Sequence, residues 1–304
     1  MITFFATPKP FRGHIDVIQR NALQSWKLLH PDVEVIVFGD DEGASEACHD
    51  LELRHEPEVK RNEHGTKYLT PIFDRAQELA RHDLLCYVNC DIILLADFRA
   101  AFERVASVQG PFLMAGQRWD ADIISPLDFS APEWEENLRR LAIAANQQRP
   151  PQWIDYFAFR RGLYYQNIPA FVIGRPGWDN WLLWHARHSG ARLIDASSVV
   201  VAVHQNHDYS YHPDGEKGVW QGEEAKYNEQ FLQGGRFATL DNATHVLSEN
   251  EERRNYRHWL VQARRRSRAA LQAAVFKFYD LTRTVRHWLG LRRREMKERT
   301  AEKN

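Results

Sequence analysis

The chain has 304 residues, enough for one large domain or two modest ones around a substantial core. With 43% hydrophobic and 27% charged residues it reads as an ordinary globular protein, not a fibrous or disordered one. The net charge of −1 hides an asymmetry: from residue 251 onward 16 Lys/Arg face 6 Asp/Glu, leaving 24 against 35 before it, so an acidic body carries a basic tail.

In chain order, "ITFFAT" (2–7) is a short buried-strand candidate that stops at "PKP". Ile15, Ile18, Ala22, Trp26 and Leu29 then recur at helical spacing. "VEVIVFGDD" is a second strand, ended by Gly39 and two aspartates, and "LELRH" offers a third. Thr70-Pro71 opens a helix as cap and first residue, with Ile72, Ala76 and Leu79 on one face. "LLCYVNCDIILLADF" (84–98) is the fourth strand, followed by a helix capped by Asp97 and running through Phe98, Phe102 and Val105. "PFLMAGQRW" makes a fifth strand. Beyond it come a helix in "PEWEENLRRLAIAAN", a strand "DYFAFRR", a turn "GRPGWDN", a helix "WLLWHARHSG", and strands in "ARLIDAS" and "VVVAVHQNH". From about 246 the pattern turns basic and helical, with a stripe of Leu271, Val275, Phe278, Leu281, Val285 and Trp288, so the expected division is 1–245 and 246–304.

Three cysteines, Cys48, Cys86 and Cys90, form no CxxC pair, and Cys86 and Cys90 would lie roughly 13 Å apart on a strand, too far for a disulfide. The start of the chain lacks the basic and long apolar segments of a signal peptide, and no run approaches a membrane span. A cytoplasmic protein without structural zinc is expected.

Strands alternating with helices imply a mostly parallel sheet covered on both faces, with ligands beyond the carboxyl ends of the strands. Thr7, Asp40, Asp91 and Arg118 all fall at or near such ends. Asp91 stands out because an unpaired ion within a sealed strand costs several kcal/mol. "LLCYV" is therefore read as the buried strand, with Asp91 emerging at the mouth of a site.

An Asn-x-Asp at one strand end, after a Gly-Asp-Asp at another and before a late histidine, resembles the glycosyltransferases of the GT-A type, the nucleotide-diphospho-sugar transferase superfamily. The strings occur in the order "FATPKPF", "FGDD", "YVNCDIIL", "GRPGWDNW" and "VHQNH". A bacterial subgroup of that superfamily carries strings similar to "DYF", "GR.GWDNW" and "HQNHDYS", and the resemblance covers roughly residues 1 to 245. It implies a GT-A fold, that is, a Rossmann-like α/β sheet with helices on both faces, here followed by the C-terminal helical extension. It also implies a metal-dependent transfer of a sugar from a nucleotide-diphosphate sugar to a glycan or other hydroxyl acceptor, in surface polysaccharide or glycolipid assembly.

The resemblance assigns Mn²⁺ or Mg²⁺ as cofactor, with Asp91 as a direct ligand. Such a cation holds the charge that develops on a leaving diphosphate and takes hard oxygen ligands. Asn89 replaces the usual first acid, keeping a hydrogen bond to ribose within reach but lowering the charge of the site. His204 and His207 are the candidate nitrogen ligands, with His207 also a phosphate contact; surface histidines bonded to loop carbonyls are the plain alternative. In the family the segments holding Thr7, Pro8, Lys9 and Asp40 flank the nucleotide, and Lys9, Lys67 and Arg118 are phosphate candidates. "NEHGTKYLT" resembles the loop before the family's fourth strand, with Gly65 allowing close backbone approach. Asp179, an N-cap by position, matches the helix-start acid that takes the acceptor's proton, and Asp155 is its rival. Trp153, Tyr156 and Trp178 offer faces to an acceptor sugar, or else pack in the core.

The tail reads either as an electrostatic foot at the inner face of an anionic membrane or as a helical pair on the catalytic domain. A nucleic-acid partner is disfavoured by the acidic body. Two other functions stay open at this point: a nucleotidyltransferase, although "FATPKPF" lacks a Gly-rich phosphate loop, and a catalytically degenerate sugar-nucleotide-binding protein.

Overall fold

The computed structural model describes residues 1–208 and 213–256. The chain runs through β1 (Thr3–Ala6), α1 (Gly13–Leu28), β2 (Glu34–Phe38), α2 (Ala44–Asp50), β3 (Arg54–Glu56), α3 (Leu69–Leu79), β4 (Leu84–Val88), β5 (Ile92–Ile93) and α4 (Ala96–Ala106). It continues with β6 (Phe112–Ala115), β7 (Arg118–Ala121), α5 (Trp134–Ala144), β8 (Tyr156–Arg160), α6 (Trp178–His188), β9 (Arg192–Asp195) and β10 (Ala202–Gln205). Last come α7 (Gly215–Gln221), α8 (Glu223–Glu229), β11 (His245–Leu247) and β12 (Glu252–Arg254).

Nine strands make one sheet in the order β12-β11-β9-β6-β8-β4-β1-β2-β3. Only β8 and β12 run against their neighbours, giving the mixed, mostly parallel α/β architecture that the alternation of elements predicts. Strand periodicity sorts the core into two layers. Phe4, Val35, Val37, Cys86 and Val88 face one way and pack with α1, α2 and α4. Phe5, Ile36, Phe38, Leu85 and Tyr87 face the other way and pack with α3 and α6. Phe73 of α3 sits among the rings of Phe5, Tyr87, Phe159 and Tyr164, with centroids 4.9–5.9 Å away. Each such aromatic stabilises the fold by about 1.5–3 kcal/mol through burial alone.

The remaining strands form a second sheet in the order β5-β10-β7. β10 lies antiparallel to β5 and parallel to β7, with His204 opposite both Ile92 and Asp120. Two segments expected as single strands are thus each divided between the sheets. "PFLMAGQRW" breaks at Gly116, where a Cβ would strike the Tyr156 hydroxyl, so the backbone passes only as glycine. "LLCYVNCDIILLADF" breaks at Asn89–Asp91, between β4 and β5. The aspartate that looked misplaced inside a strand lies in the gap between two.

Other boundaries also shift. α3 begins at Leu69, and Thr70 uses its hydroxyl to donate to the Pro169 carbonyl (2.7 Å) instead of capping. Leu95, not Asp97, occupies the N-cap of α4, while the Asp97 carboxylate accepts from the Val201 backbone (2.9 Å) and pairs with Arg139 (2.7 Å). The first compact unit extends to Arg254, past the boundary expected at 245, because β11 joins the sheet beside β9 and β12 pairs with it. Most of the expected helical extension, and the end of the "HQNHDYS" string, lie outside the described residues. No helix among the described residues is long and apolar enough to cross a membrane.

Candidate functional site

One cavity of about 1010 Å³ opens where the carboxyl ends of β1 and β4, the start of β8 and the small sheet converge. Its walls include Thr7, Pro8, Lys9, Lys67, Asn89, Asp91, Arg118, Trp153, Asp155, Trp178, Asp179, His204 and His207 from the expected set. Asp40 and Tyr156 do not line it.

Strand pairing brings the acidic and imidazole groups together. Asp91 precedes β5, and its carbonyl accepts from the Gln205 backbone (3.0 Å), which fixes it beside His204 on β10. Asp91, His204 and His207 each present one ligand atom, and these atoms all lie within 4.8 Å of one another. Asp91 is only 9% exposed, at the cavity wall, and its Oδ1 is buried without a hydrogen-bond partner among the described residues. Its Oδ2 lies 3.4 Å from Lys9 Nζ and 3.2 Å from His207 Nε2. Burial alone would raise the Asp91 pKa, but Lys9 and the two imidazoles hold it well below the usual carboxylate range. His207 Nδ1 lies 2.7 Å from the Asp208 carbonyl, and its Nε2 lies within reach of both Lys9 Nζ (2.9 Å) and Asp91 Oδ2. A buried anion with one unused oxygen and two imidazole nitrogens at this spacing fits a divalent cation of the Mn²⁺ type.

A second cluster supports the first. Because β8 runs antiparallel to β4, its start meets the end of β4, and Asp155 lies beside Asn89. Asn89 Nδ2 donates to Asp155 Oδ1 (2.6 Å), and Arg118 Nη1 donates to Asp155 Oδ2 (2.8 Å). Arg118 Nε reaches Asp120 Oδ1 (2.9 Å), and Arg149 pairs with Asp120 Oδ2 (2.7 Å). His204 Nδ1 lies 3.4 Å from the same Asp120. Burial opposes the charge on Arg118, yet Asp155 and Asp120 carry its pKa upward. Asp155 therefore has both oxygens engaged and acts as a clamp between Asn89 and Arg118. In this cluster, the residue that sequence reasoning missed is Asp120. The alternation of Arg118 and Asp120 on one strand, two apart and thus on one face, was the available signal.

The nucleotide-side residues divide. Gln19 grips the loop after β1 through both its amide atoms, at Lys9 N (2.7 Å) and Lys9 O (2.9 Å). Thr7 Oγ1 is buried without a hydrogen-bond partner among the described residues. Lys67 is buried, donates to the Pro8 carbonyl (2.7 Å) and pairs with Asp41. Burial lowers the Lys67 pKa, with Asp41 opposing. In "GDD" it is thus Asp41 that lines the cavity, while Asp40 is exposed and pairs with Arg61. Gly65 lines the cavity at φ +79°, a left-handed backbone angle that glycine adopts readily.

Asp179 occupies the first turn of α6 beside the cavity, with Gly177, not Asp179, at the N-cap. Burial raises its pKa to about 7, aided by the nearby Asp155 charge and opposed by backbone N–H groups of the helix start. Its Oδ1 has no hydrogen-bond partner among the described residues.

Of the aromatic candidates, Trp153 and Trp178 line the cavity. Trp178 is largely buried against Tyr87 and Phe157, with centroids at 5.4 and 5.5 Å. Tyr156 does not belong to the acceptor side: it is 0% exposed and packs on Phe98 at 5.6 Å, because alternation along β8 turns it into the opposite layer from Phe157. Its hydroxyl is buried without a partner among the described residues. Tyr156→Phe is expected to leave acceptor KM unchanged and to hold or raise stability by up to about 1 kcal/mol, because it removes an unpaired polar group. Thermal denaturation and acceptor titration check both halves.

No protein-family model matches the chain, and no curated protein matches it. Solved structures similar to it include glucosyl-3-phosphoglycerate synthase from Mycobacterium tuberculosis in complex with Mn²⁺, uridine-diphosphate and phosphoglyceric acid. That match is 13% identical, covers 84% of this chain and 86% of that chain, and has a TM-score of 0.46. The same enzyme with Mg²⁺ and uridine-diphosphate matches at 14% identity over 68% of this chain and 72% of that chain, TM-score 0.41. The mannosyltransferase PcManGT from Pyrobaculum calidifontis, in complex with GDP-Man and Mn²⁺, matches at 16% identity over 69% of this chain and 58% of that chain, TM-score 0.43.

Proposed function

We propose that this protein is a metal-dependent glycosyltransferase that moves a sugar from a nucleoside-diphosphate sugar to a hydroxyl of an acceptor. The observation that carries the reading is Asp91: a buried carboxylate at strand ends, with one oxygen unbonded among the described residues and two imidazoles grouped with it beside a large cavity. A divalent cation bound by Asp91, His204 and His207 would serve as Lewis acid and template for the departing diphosphate.

The chain's own residues supply the rest. Lys9 brings positive charge to the same carboxylate and is placed to contact phosphate oxygens. Thr7 offers a hydroxyl, and the Asn89–Asp155–Arg118 clamp holds the end of β4 at the cavity wall. Asp179 takes the acceptor's proton. A base works best with a pKa near the operating pH, and burial places this one at about 7. Asp155, with both oxygens bonded, is assigned to positioning. A glycan acceptor at a membrane would suit the basic tail from 251, since anionic lipid attracts clustered Lys and Arg.

The test is release of nucleoside diphosphate from a panel of UDP- and GDP-sugars, with Mn²⁺, with Mg²⁺ and with EDTA. Slow donor hydrolysis that needs the metal is the expected result. Hydrolysis indifferent to EDTA, or no sugar-nucleotide binding at all, would remove the reading.

A further inference from the structure

Two Trp/Gln dipeptides, Gln152-Trp153 before β8 and Trp220-Gln221 at the end of α7, meet across the cavity wall, with indole centroids 5.3 Å apart and planes tilted by 54°. Trp153 is fixed in place by Arg118 and Arg149, whose guanidinium carbons lie 5.1 and 4.9 Å from its ring. Trp220 keeps 37% of its surface exposed and Phe237 keeps 48%, and both line the cavity. Large apolar rings are usually covered, so two exposed rings in a concave site beside amide side chains mark a binding surface.

The charges of the cavity narrow what that surface holds. Arg61, Arg118, Arg175 and Lys67 each face a carboxylate, on Asp40, Asp155, Glu224 and Asp41 respectively, and Lys9 faces Asp91. Among the described residues, Lys226 is the only lining Lys or Arg with no carboxylate beside it. At every lining Lys or Arg except Lys226, an anionic acceptor would have to compete with a carboxylate to be recognised. An uncharged pyranose would not, because its C–H face lies on indole and its hydroxyls meet amides.

We infer that Trp220, Phe237 and the Trp153 edge form an acceptor subsite for a neutral saccharide, with Gln152 and Gln221 reading its hydroxyls. This rests on the glycosyltransferase reading for its role in the reaction, but the binding itself can be measured without any donor. Saturation-transfer NMR and tryptophan fluorescence on the full chain are run with neutral probes (maltotriose, cellotriose, chitotriose) and anionic ones (glucose 6-phosphate, glucuronic acid). A parallel titration uses UDP and GDP with Mn²⁺.

At least one neutral probe is expected to bind wild type, to weaken on the order of tenfold in Trp220→Ala, and to outcompete the anionic probes. Gln221→Ala, an exposed change, gives a second reading should Trp220→Ala fail to fold. No binding of any neutral probe, tighter binding of the anionic ones, or binding that survives both substitutions would overturn the subsite. Saccharide binding without nucleotide binding would uphold the subsite and defeat the donor reading, and the reverse pattern would do the opposite.

Discussion

Asp91→Ala is expected to abolish the metal-dependent part of nucleotide-diphosphate binding. In wild type, Mn²⁺ should raise both the affinity for UDP or GDP and the melting temperature, because a ligand that binds only the folded state stabilises it by mass action. In the variant neither increment should appear. His204 and His207 remain, but two imidazoles without a carboxylate are a poor set for a hard cation. Lys9 also loses the carboxylate that faces it 3.4 Å away. Since a Lewis acid contributes several kcal/mol of charge stabilisation to the transition state, turnover should fall on the order of a hundred- to a thousandfold. Isothermal titration of Mn²⁺ in the presence of UDP is the direct measurement. Equal enhancement by metal in both proteins would contradict the assignment of Asp91.

Asp179→Asn should separate activity from stability. The folded state holds this carboxyl at a pKa of about 7, above its ordinary value, because burial penalises the anion. Between pH 4 and pH 7 the folded chain keeps the proton and the unfolded chain does not, so stability falls as pH rises through that window. An asparagine at 179 is neutral at every pH and escapes this loss. The variant is expected to be more stable than wild type at pH 8, by on the order of 2–4 kcal/mol, and to match it near pH 4. Its transfer activity should drop by 10²–10⁴-fold, the usual scale of general base catalysis. Wild-type turnover should climb with pH through about 7, as the base ionises, in the same interval where stability declines. Urea denaturation at pH 4, 6 and 8 alongside the pH–rate profile tests both signs. A variant equally stable at all three pH values, relative to wild type, would show that Asp179 is not buried as a neutral acid.

Much of this site was legible because strand ends announce themselves. Apolar runs closed by Thr7-Pro8, by Gly39-Asp40-Asp41 and by Asn89-Cys90-Asp91 are visible without coordinates, and a parallel sheet gathers such ends at one edge. What stayed hidden was everything decided by pairing partners. "GDD" does not say which aspartate turns inward, and packing chose Asp41 because Lys67 lies there to meet it. "DYFAFRR" does not say which layer receives Tyr156 until β8 is known to pair antiparallel with β4, Val88 opposite Tyr156. Asp155 looked like a free base because Arg118, on β7, is distant in sequence from it and from Asn89. The break at Gly116 was hidden too, since its cause is one hydroxyl from another strand.

The small sheet gives the site a property that its composition would not suggest. His204 reaches the cavity because it sits opposite Ile92 and Asp120, with Val203 and Gln205 on either side. A slip of β10 by one position would offer an aliphatic or an amide side chain where the imidazole stands, on a surface whose occupants alternate strictly. Ligand geometry at this centre therefore hangs on strand register: one residue inserted between 202 and 204 that shifts the pairing by a position would remove the imidazole from it.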